Sequence, residues 1–263
     1  HAGAKATILQ RRNRLLPRFE EQLVNWLMKK FDEVGINVRL NSNVTRIERQ
    51  GDELSVTVES GGNEETLSFD LVVHAAGRRP DLRRLNLDAA GVAVEDGKIK
   101  LNEYLQSVSN PAVYAAGDFT SKGPPLTPVA SHDAKVVADN LLNGNRRTPN
   151  YEGVPSVVFT IPPLASVGLT EAQAHERKLK FRTQQQLAEN WFRARHLGET
   201  VYGFKVLVEE ETDKILGAHL VGPGVEEVIN VFALAIRNGL TAEALKSTIF
   251  AYPTGGSDIG YML

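Results

Sequence analysis

The stretch VYAAGDFTSKGPPLTPVA, residues 113–130, joins a short apolar segment to the beginning of a helix. Residues 113–116 are predicted to form a strand, and Asp118 follows at its end. Thr127 is expected to be the N-cap of the helix and Pro128 its first residue, because proline lacks only an N–H that has no partner there. The unpaired N–H groups and the positive end of the helix dipole attract negative charge. The stretch therefore predicts a ligand site where a carboxylate and a helix start lie close together.

The two ends of this stretch carry a family resemblance. AGD (116–118) followed by LTPVA (126–130) resembles the second flavin-binding segment of the FAD-dependent pyridine nucleotide–disulfide oxidoreductases, the glutathione reductase-like flavoenzymes. In that family the matching carboxylate accepts a hydrogen bond from the ribityl chain of FAD, and the resemblance gives this role to Asp118. The matching helix start lies beside the pyrimidine edge of the flavin, where it stabilises the negative charge of the reduced ring. The FAD-binding residues implied in this way are Gly117, Asp118, Leu126, Thr127, Pro128, Val129 and Ala130.

A simpler interpretation of the same stretch needs no cofactor. Asp118 then caps only a turn, and Thr127 caps only a helix. An isolated AGD would favour this simpler interpretation. The order and spacing of the two segments favour the flavin interpretation.

The composition of the 263-residue chain excludes several classes of function. Apolar residues make up 42% and charged residues 24%, as in soluble globular proteins. The formal net charge of −2 gives no electrostatic reason to expect nucleic acid or an anionic membrane as a partner. No apolar run approaches the roughly 20 residues of a membrane-spanning helix, and no signal peptide is recognisable, so we expect a cytoplasmic protein. The six histidines show no metal-ligand spacing, and we expect no metal site.

The beginning of the chain indicates a longer parent protein. HAGAKATILQ opens without Met, and residues 6–9 predict a strand that is already under way. The chain contains no Cys, which excludes disulfides and thiolate chemistry within it. In the resembled family the redox-active cysteine pair lies in the N-terminal flavin half, so this absence is compatible with either a dithiol or a non-dithiol parent. We interpret the chain as the C-terminal portion of such a flavoenzyme, and we expect it to be inactive and to bind FAD poorly when isolated.

The periodicity of the apolar residues predicts α/β structure first and α+β structure later. A run at 71–77 predicts a buried strand. The other predicted elements are strands at 6–9, 36–40, 44–48 and 54–58, helices at 19–34 and 128–142, short strands around Pro162-Pro163, a Thr170–Gln173 capping box, a hairpin of strands 203–209 and 214–221, and a helix with an apolar stripe at 228–236.

The family resemblance assigns these elements to domains. Residues 1–76 resemble the latter half of a Rossmann-like NAD(P)-binding domain, and residues 77–146 resemble the C-terminal segment of the FAD-binding domain. Residues 147–263 resemble the C-terminal α+β dimerisation domain, through FTIPPLASVGLTE, GFKVLVEEETDKILGAHLVGP and ALAIRNGLT. The implied protein is a homodimer whose interface is formed by residues 147–263.

Basic residues at the end of the first strand favour NADPH over NADH. Relatives that prefer NAD place an acidic residue there, which holds the ribose 2′-hydroxyl. In this chain the position is Gln10, and Arg11 and Arg12 follow it. An acid would repel a 2′-phosphate, whereas guanidinium groups bind it through forked, charge-assisted hydrogen bonds. The alternative is a solvated basic turn. Gly77 and Arg78 match a family position close to the bound dinucleotide.

The C-terminal sequence AYPTGGSDIGYML departs from the family's pattern. Disulfide-reducing relatives have a His–Pro–Thr stretch followed by Ser–Glu, in which the His is an acid–base group that acts across the dimer interface. Tyr252 stands where this His is expected, and Asp258 is the nearest acidic counterpart. Tyr has an ordinary pKa of about 10, against about 6.5 for His, and is a poor base near neutral pH. Tyr252 is therefore either a hydrogen-bond donor of the substrate site or interface packing, with Asp258 in a solvated tail.

The function implied by the resemblance is that of a FAD-dependent NAD(P)H oxidoreductase. Hydride passes from NADPH, through FAD, to a disulfide or another two-electron acceptor. The departure at Tyr252 leaves open a non-disulfide acceptor such as a quinone, oxygen or a metal ion. A tyrosine here resembles the mercuric reductase branch, but the C-terminal cysteine pair of that branch is lacking. A second alternative is a non-catalytic dimerisation or assembly fragment. The side chains of Trp191 and Phe192 are expected to serve in strand packing, and His74 and His219 are expected to be satisfied core or interface groups.

Overall fold

The computed structural model describes residues 3–120 and 122–263, which form two compact units. The first unit combines the N-terminal segment up to Val73 with Gly153–Leu263, and the second unit is His74–Glu152. The mixed α/β architecture confirms the predicted fold class. The division into three domains at 76/77 and 146/147 stays a prediction.

The first unit begins with a parallel β–α–β element. Strand β1 (Thr7–Leu9) and strand β2 (Asn37–Arg39) are parallel neighbours, and helix α1 (Glu21–Glu33) connects them. These elements confirm the predicted ones, although each is shorter than predicted. The helix buries the residues that recur at helical spacing on one face: Leu23, Val24, Trp26, Leu27 and Phe31. Because the strands are parallel, their carboxyl ends lie at the same edge of the sheet.

A three-stranded antiparallel sheet follows. It consists of β3 (Asn43–Gln50), β4 (Glu53–Ser60) and β5 (Asn63–Phe69), with β4 in the centre. The strand predicted at 54–58 is confirmed within β4, and Val56 and Val58 are buried. The alternation of apolar and polar residues there predicts a half-buried strand, which is wrong, because the polar neighbours Ser55 and Thr57 are buried as well.

The buried strand predicted at residues 71–77 is wrong. The backbone of this segment forms no strand, and Leu71 and Val73 are 74% and 77% exposed. A strand needs a neighbour for its N–H and C=O groups, and an apolar run indicates burial without indicating that neighbour. His74 is also exposed, which excludes the core as its place; the alternative expectation, a place in an interface, stays a prediction.

The second unit is built around one long helix. Strands β6 (Val94–Glu95) and β7 (Lys98–Ile99) form a small antiparallel hairpin, and helix α2 is Thr127–Asn143. The predicted strand at 113–116 is wrong, because only an isolated bridge between Tyr114 and Gln106 forms there. The small apolar core consists of Val92, Ile99, Leu101, Leu105 and Val136.

The remainder of the first unit is a five-stranded antiparallel sheet with helices. Its spatial strand order is β10-β11-β12-β9-β8. The predicted hairpin is confirmed as β11 and β12, and the predicted short strands are confirmed as β8 and β9. The elements are β8 (Ser156–Val158), β9 (Leu164–Gly168), α3 (Glu171–Glu176), β10 (Phe181–Leu187), α4 (Phe192–Leu197), β11 (Gly203–Glu209), β12 (Ile215–Val221), α5 (Val225–Asn238) and α6 (Ala242–Lys246).

Helix α5 covers one face of this sheet. It packs on β9 and β12 with its predicted apolar stripe, and Gly239 ends it in the left-handed conformation. The Thr170–Gln173 capping box at the start of α3 is also confirmed. Trp191 is the N-cap of α4 and not part of a strand, but its ring packs on the core and lies 5.5 Å from that of Phe204 on β11, so its expected packing role is confirmed. The same expectation is wrong for Phe192, the first residue of α4, which is exposed.

Three charged side chains join α1 to the C-terminal sheet inside the first unit; we call them the ion cluster. The Nζ atom of Lys205, on β11, lies 2.8 Å from Oε1 of Glu20 and also contacts the carboxylate of Glu171. The second oxygen of Glu20 accepts the backbone N–H of Glu171 at 3.2 Å. Burial alone would lower the pKa of Lys205, but the hydrogen bonds to the two carboxylates outweigh it and raise that pKa.

His219 lies opposite Lys205 on the neighbouring strand and is fully buried. Its Nδ1 is 2.7 Å from the Ser166 hydroxyl, and its Nε2 is 3.0 Å from the carbonyl oxygen of Leu169. Burial lowers the pKa of His219, which keeps the ring neutral. The expectation of a satisfied core histidine is confirmed for this residue.

Within the described residues, every helix is too short or too polar to cross a lipid bilayer.

Candidate functional site

Asp118 lies in a turn that contacts α2. It belongs to a short 3₁₀ turn, Gly117–Phe119. Gly117 has φ of +69°, and a Cβ atom there would lie 2.8 Å from the Cβ atom of Ala130 on α2. Glycine is therefore required both by the backbone conformation and by the contact. Asp118 is exposed, and its carboxylate accepts no hydrogen bond from any described residue. The turn thus holds an unpaired carboxylate beside the helix.

The start of α2 has no side-chain cap. The expectation that Thr127 is the N-cap is wrong by one residue: Leu126 is the N-cap, Thr127 the first helical residue and Pro128 the second. The reason is that Leu126 keeps an extended backbone (φ −133°, ψ 142°) and has no side-chain oxygen to offer. Val129 is buried and anchors the first turn. The free N–H groups of this turn remain available to a ligand.

A buried carboxylate that sequence reasoning missed fixes this geometry. Asp133 of α2 accepts the backbone N–H of Gly117 at 3.2 Å and the hydroxyl of Tyr151 at 2.9 Å. Burial raises the pKa of Tyr151, and the hydrogen bond to Asp133 raises it further, so the phenol stays a donor. Gly123 leaves space for the ring, since a Cβ atom there would lie 2.6 Å from Cε1 of Tyr151.

The sequence did contain a signal for this residue. The four buried residues of α2 follow each other at spacings of four, three and four: Val129, Asp133, Val136 and Asn140. Two polar residues on an otherwise buried face must find partners. Asn140 does so by donating to the carbonyl oxygens of Tyr104 and Arg147 at 3.1 and 2.8 Å.

Arg11 and Arg12 belong to the first unit, in the loop that leaves the carboxyl end of β1. The loop is fixed against the segment after β2, since the carbonyl oxygen of Arg12 accepts the N–H of Asn41 at 2.9 Å. Both arginine side chains are exposed and have no acidic partner among the described residues. Arg14 differs, because it donates to the carbonyl oxygen of Phe19 at 2.6 Å. The carboxyl ends of parallel strands are the usual place for nucleotides in open α/β sheets.

Gly77 and Arg78 belong to the second unit. Gly77 has φ of +98°, and both residues are exposed. Arg78 forms no ion pair with a described residue. Their predicted proximity to the dinucleotide stays a prediction.

Tyr252 and Asp258 do not form a pair. The Tyr252 side chain is 77% exposed, and its hydroxyl makes no hydrogen bond with a described residue. Asp258 instead accepts the hydroxyl of Tyr202 at 2.7 Å, and burial raises the pKa of its carboxyl group. The expectation of a solvated tail is wrong, because Ile259 and Met262 pack in the core and draw this segment inward.

No group of three or more His, Cys, Asp or Glu side chains that could hold a metal ion occurs within residues 3–120 and 122–263. His1 lies outside the described residues.

An uncapped helix start with free N–H groups is a common place for the negatively charged groups of bound nucleotides. The model of the pyridine nucleotide-disulphide oxidoreductase family matches residues 1–134. The model of the dimerisation domain of pyridine nucleotide-disulphide oxidoreductases matches residues 154–262. The chain belongs to this family, whose members are flavoprotein oxidoreductases, and the predicted membership is confirmed.

Two curated relatives illustrate the range of lengths in the family. Mercuric reductase of Lysinibacillus sphaericus is 36% identical over 255 residues, which cover 97% of this chain and 46% of the relative. An uncharacterized 19.7 kDa protein in the mercuric resistance operon of Staphylococcus aureus is 47% identical over 180 residues, 68% of this chain and 100% of the relative. The chain thus spans about half the length of mercuric reductase.

Solved structures give the same fold. The Cu(II) complex of the HOCl-induced flavoprotein disulfide reductase RclA from Escherichia coli has a TM-score of 0.88 and 29% sequence identity to this chain. The match covers 99% of this chain and 58% of that chain.

Proposed function

We propose that this chain provides part of an NADPH-dependent flavoprotein oxidoreductase, which passes a hydride from NADPH through FAD to a disulfide or another two-electron acceptor. The observation that carries the proposal is the unpaired carboxylate of Asp118 beside the uncapped start of α2. A buried network built on Asp133 holds the turn against the helix.

The residues present fit a flavin. Asp118 would accept a ribityl hydroxyl of the flavin, because an ionised carboxylate is an acceptor only and this one has no other donor among the described residues. The free N–H groups of Thr127 and Val129 would stabilise negative charge on the ring system of a flavin bound there. A partly buried helix end contributes up to about 2 kcal/mol toward a negative charge, which favours the reduced cofactor. The bound flavin supplies the two-electron chemistry itself.

Arg11 and Arg12 support NADPH as the hydride donor. Their guanidinium groups project from the end of β1 without an acidic partner among the described residues, and Gln10 replaces the acid that would repel a 2′-phosphate. Gly77 and Arg78 are assigned to the same dinucleotide. NADH remains the less favoured donor.

The dimerisation domain supports a homodimer through residues 147–263. The first unit exposes large apolar side chains there, with Phe159 at 81% and Ile249 at 98%. Monomeric proteins rarely leave such side chains in water in large groups, so a second copy of the chain is the expected cover. We place the protein in the cytoplasm, where NADPH and FAD are available.

The acceptor is the least constrained part of the proposal. Tyr252 replaces the expected acid–base histidine, which favours an acceptor that needs no thiol chemistry. A metal ion is an alternative, since the RclA structure is a Cu(II) complex. A non-catalytic dimerisation or assembly protein is a further alternative, supported by the 180-residue relative that this chain covers completely.

The test uses the complete product of the gene that encodes this chain. We expect it to be yellow, to contain one FAD per protomer and to oxidise NADPH faster than NADH at equal concentration. Residues 1–263 alone are expected to be inactive and to retain little flavin. Replacing both Arg11 and Arg12 by Ala raises KM for NADPH by about tenfold, the equivalent of one charge-assisted hydrogen bond, and leaves KM for NADH unchanged. A colourless complete protein supports the assembly alternative instead.

A further inference from the structure

The direction of the Asp118 carboxylate depends on how residues 117–120, which we call the Asp118 turn, are held in place. The turn closes on the hydrogen bond from the N–H of Thr120 to the carbonyl oxygen of Gly117, at 3.0 Å. Turns of this 3₁₀ type are short, and the geometry of their hydrogen bonds is poor. Groups outside the Asp118 turn must therefore fix its position.

Asp133 holds the first end of the Asp118 turn. It is fully buried on α2, and its Oδ2 accepts the backbone N–H of Gly117 at 3.2 Å. Its Oδ1 accepts the hydroxyl of Tyr151 at 2.9 Å, which fixes the rotation of the carboxylate. Both bonds have a carboxylate as the acceptor, so they are charge-assisted and stronger than bonds between neutral groups.

Lys98 holds the other end of the Asp118 turn. It lies on β7, and its Nζ donates to the carbonyl oxygen of Thr120 at 2.9 Å. The backbone of Ile99 pairs with that of Thr120 in an isolated parallel bridge, and Thr120 is buried. The turn is therefore fixed from two separate elements, and each supplies one charged side chain.

Neutral side chains could satisfy the same backbone groups. Asn140 does so on the same face of α2, where its amide donates to the carbonyl oxygens of Tyr104 and Arg147 at 3.1 and 2.8 Å. Burying a charge costs more free energy than burying an amide. Asp133 is nevertheless a carboxylate, and what it holds is the backbone next to an exposed carboxylate without a partner among the described residues. This arrangement favours a precise position of Asp118 over the stability of the fold.

We propose that Asp133 and Lys98 are positioning residues of the flavin site, which hold the Asp118 turn from both ends so that the carboxylate of Asp118 is oriented for a ribityl hydroxyl before FAD binds. A binding site that is ordered in advance loses less entropy when the ligand arrives. Having to fix the backbone of one further residue during binding weakens the affinity by about tenfold. The assignment rests on the proposed function, because it takes FAD as the ligand of Asp118.

The test measures the FAD affinity of the flavin-stripped complete gene product through the quenching of flavin fluorescence. Asp133→Leu removes the acceptor of the Gly117 N–H, and Lys98→Met removes the ammonium group but keeps a long side chain. We expect each variant to bind FAD about tenfold more weakly than the wild type. Asp133→Asn keeps an acceptor for the same N–H, and we expect its affinity to stay within about threefold of the wild type.

Two matched controls lie close to the positioning residues. Lys100→Met removes an exposed lysine two residues after Lys98, whose ion pair is with Glu95. Asn140→Leu removes a buried polar group of α2 that makes no contact with the Asp118 turn in its hydrogen bonds. Both controls are expected to bind FAD like the wild type, although Asn140→Leu lowers the stability of the protein.

A double-mutant cycle with Asp118→Ala separates positioning from a general structural role. If Asp133 acts through Asp118, Asp133→Leu has little further effect on the FAD affinity of the Asp118→Ala protein, whereas independent effects add. The same cycle with Lys98→Met decides the matter if Asp133→Leu does not fold.

The outcomes separate this assignment from the function proposed above. Wild-type FAD affinity in either positioning variant, an equal loss in its control, or additive losses in the cycle overturns the positioning role and leaves the flavin site standing. A complete gene product that takes up no FAD overturns the proposed function, and this assignment with it.

Discussion

Replacing Lys205 by Met is expected to destabilise the first unit strongly, because it removes the cation of the ion cluster. Lys205 and Glu20 are 4% and 7% exposed, so water cannot take the place of the missing ammonium group. Removing one partner of a buried ion pair costs about 3–5 kcal/mol. The side chain of Glu171 is 37% exposed and is partly solvated. Glu20 also keeps the N–H of Glu171 as a donor. We therefore expect a loss at the lower end, about 3 kcal/mol.

The assay is urea unfolding followed by tryptophan fluorescence, since both tryptophans, Trp26 and Trp191, lie in the first unit. Lys180→Met is the matched control, because its ion pair with Glu211 is exposed and contributes less than about 1 kcal/mol. The double variant Lys205→Met, Glu20→Gln removes both buried charges and is expected to recover part of the loss. Since the pKa of Lys205 is raised above its ordinary 10.5, the stabilisation is complete below pH 10.5 and is lost progressively as the pH rises from there through the raised pKa. A loss below about 1 kcal/mol for Lys205→Met refutes the reasoning.

Three further substitutions test the sites. Asp258→Asn keeps a hydrogen-bond acceptor for Tyr202 but removes the carboxyl group, whose pKa is raised by burial. Folding disfavours the ionised form of this carboxyl group, so the wild type should lose stability relative to the variant as the pH rises through that pKa. Thermal melts over a range of pH measure this difference. Tyr151→Phe removes one of the two donors to buried Asp133, and a loss of about 1–3 kcal/mol is expected in denaturant unfolding followed by far-UV circular dichroism. Gly117→Ala should lower the melting temperature and weaken FAD binding, because the added Cβ atom would lie 2.8 Å from that of Ala130. Gly144→Ala is the control and should leave FAD binding unchanged, because a Cβ atom at Gly144 meets no other atom within 4 Å.

Local patterns predicted the C-terminal sheet well. The hairpin of β11 and β12, the stripe of α5 and the capping box at Thr170 each depend on residues close together in the sequence. The strands predicted at 71–77 and 113–116 failed for the opposite reason. Their apolar runs indicated burial, but pairing depends on a neighbouring strand that no local pattern specifies.

In the candidate site, too, local features could be predicted from the sequence and long-range contacts could not. The position of Asp118 beside α2 followed from the order of AGD and LTPVA, and the structure brings these segments together at the contact between Gly117 and Ala130. The hydrogen-bond partners of the buried polar groups could not be predicted from the sequence. Asp258 bonds Tyr202 across 56 positions in the sequence, and no spacing rule connects two residues so far apart.

The central claim is that Asp118 and the start of α2 bind the flavin. Its most direct test compares the FAD affinity of the flavin-stripped complete gene product with that of its Asp118→Ala variant. Asp118→Ala is expected to weaken FAD binding by about 10- to 100-fold, the loss of a hydrogen bond to a charged acceptor. Asp88→Ala, an exposed aspartate of the same unit, is expected to bind FAD like the wild type. Equal FAD affinity for the Asp118→Ala and Asp88→Ala proteins would contradict the assignment of the flavin to this carboxylate and helix start.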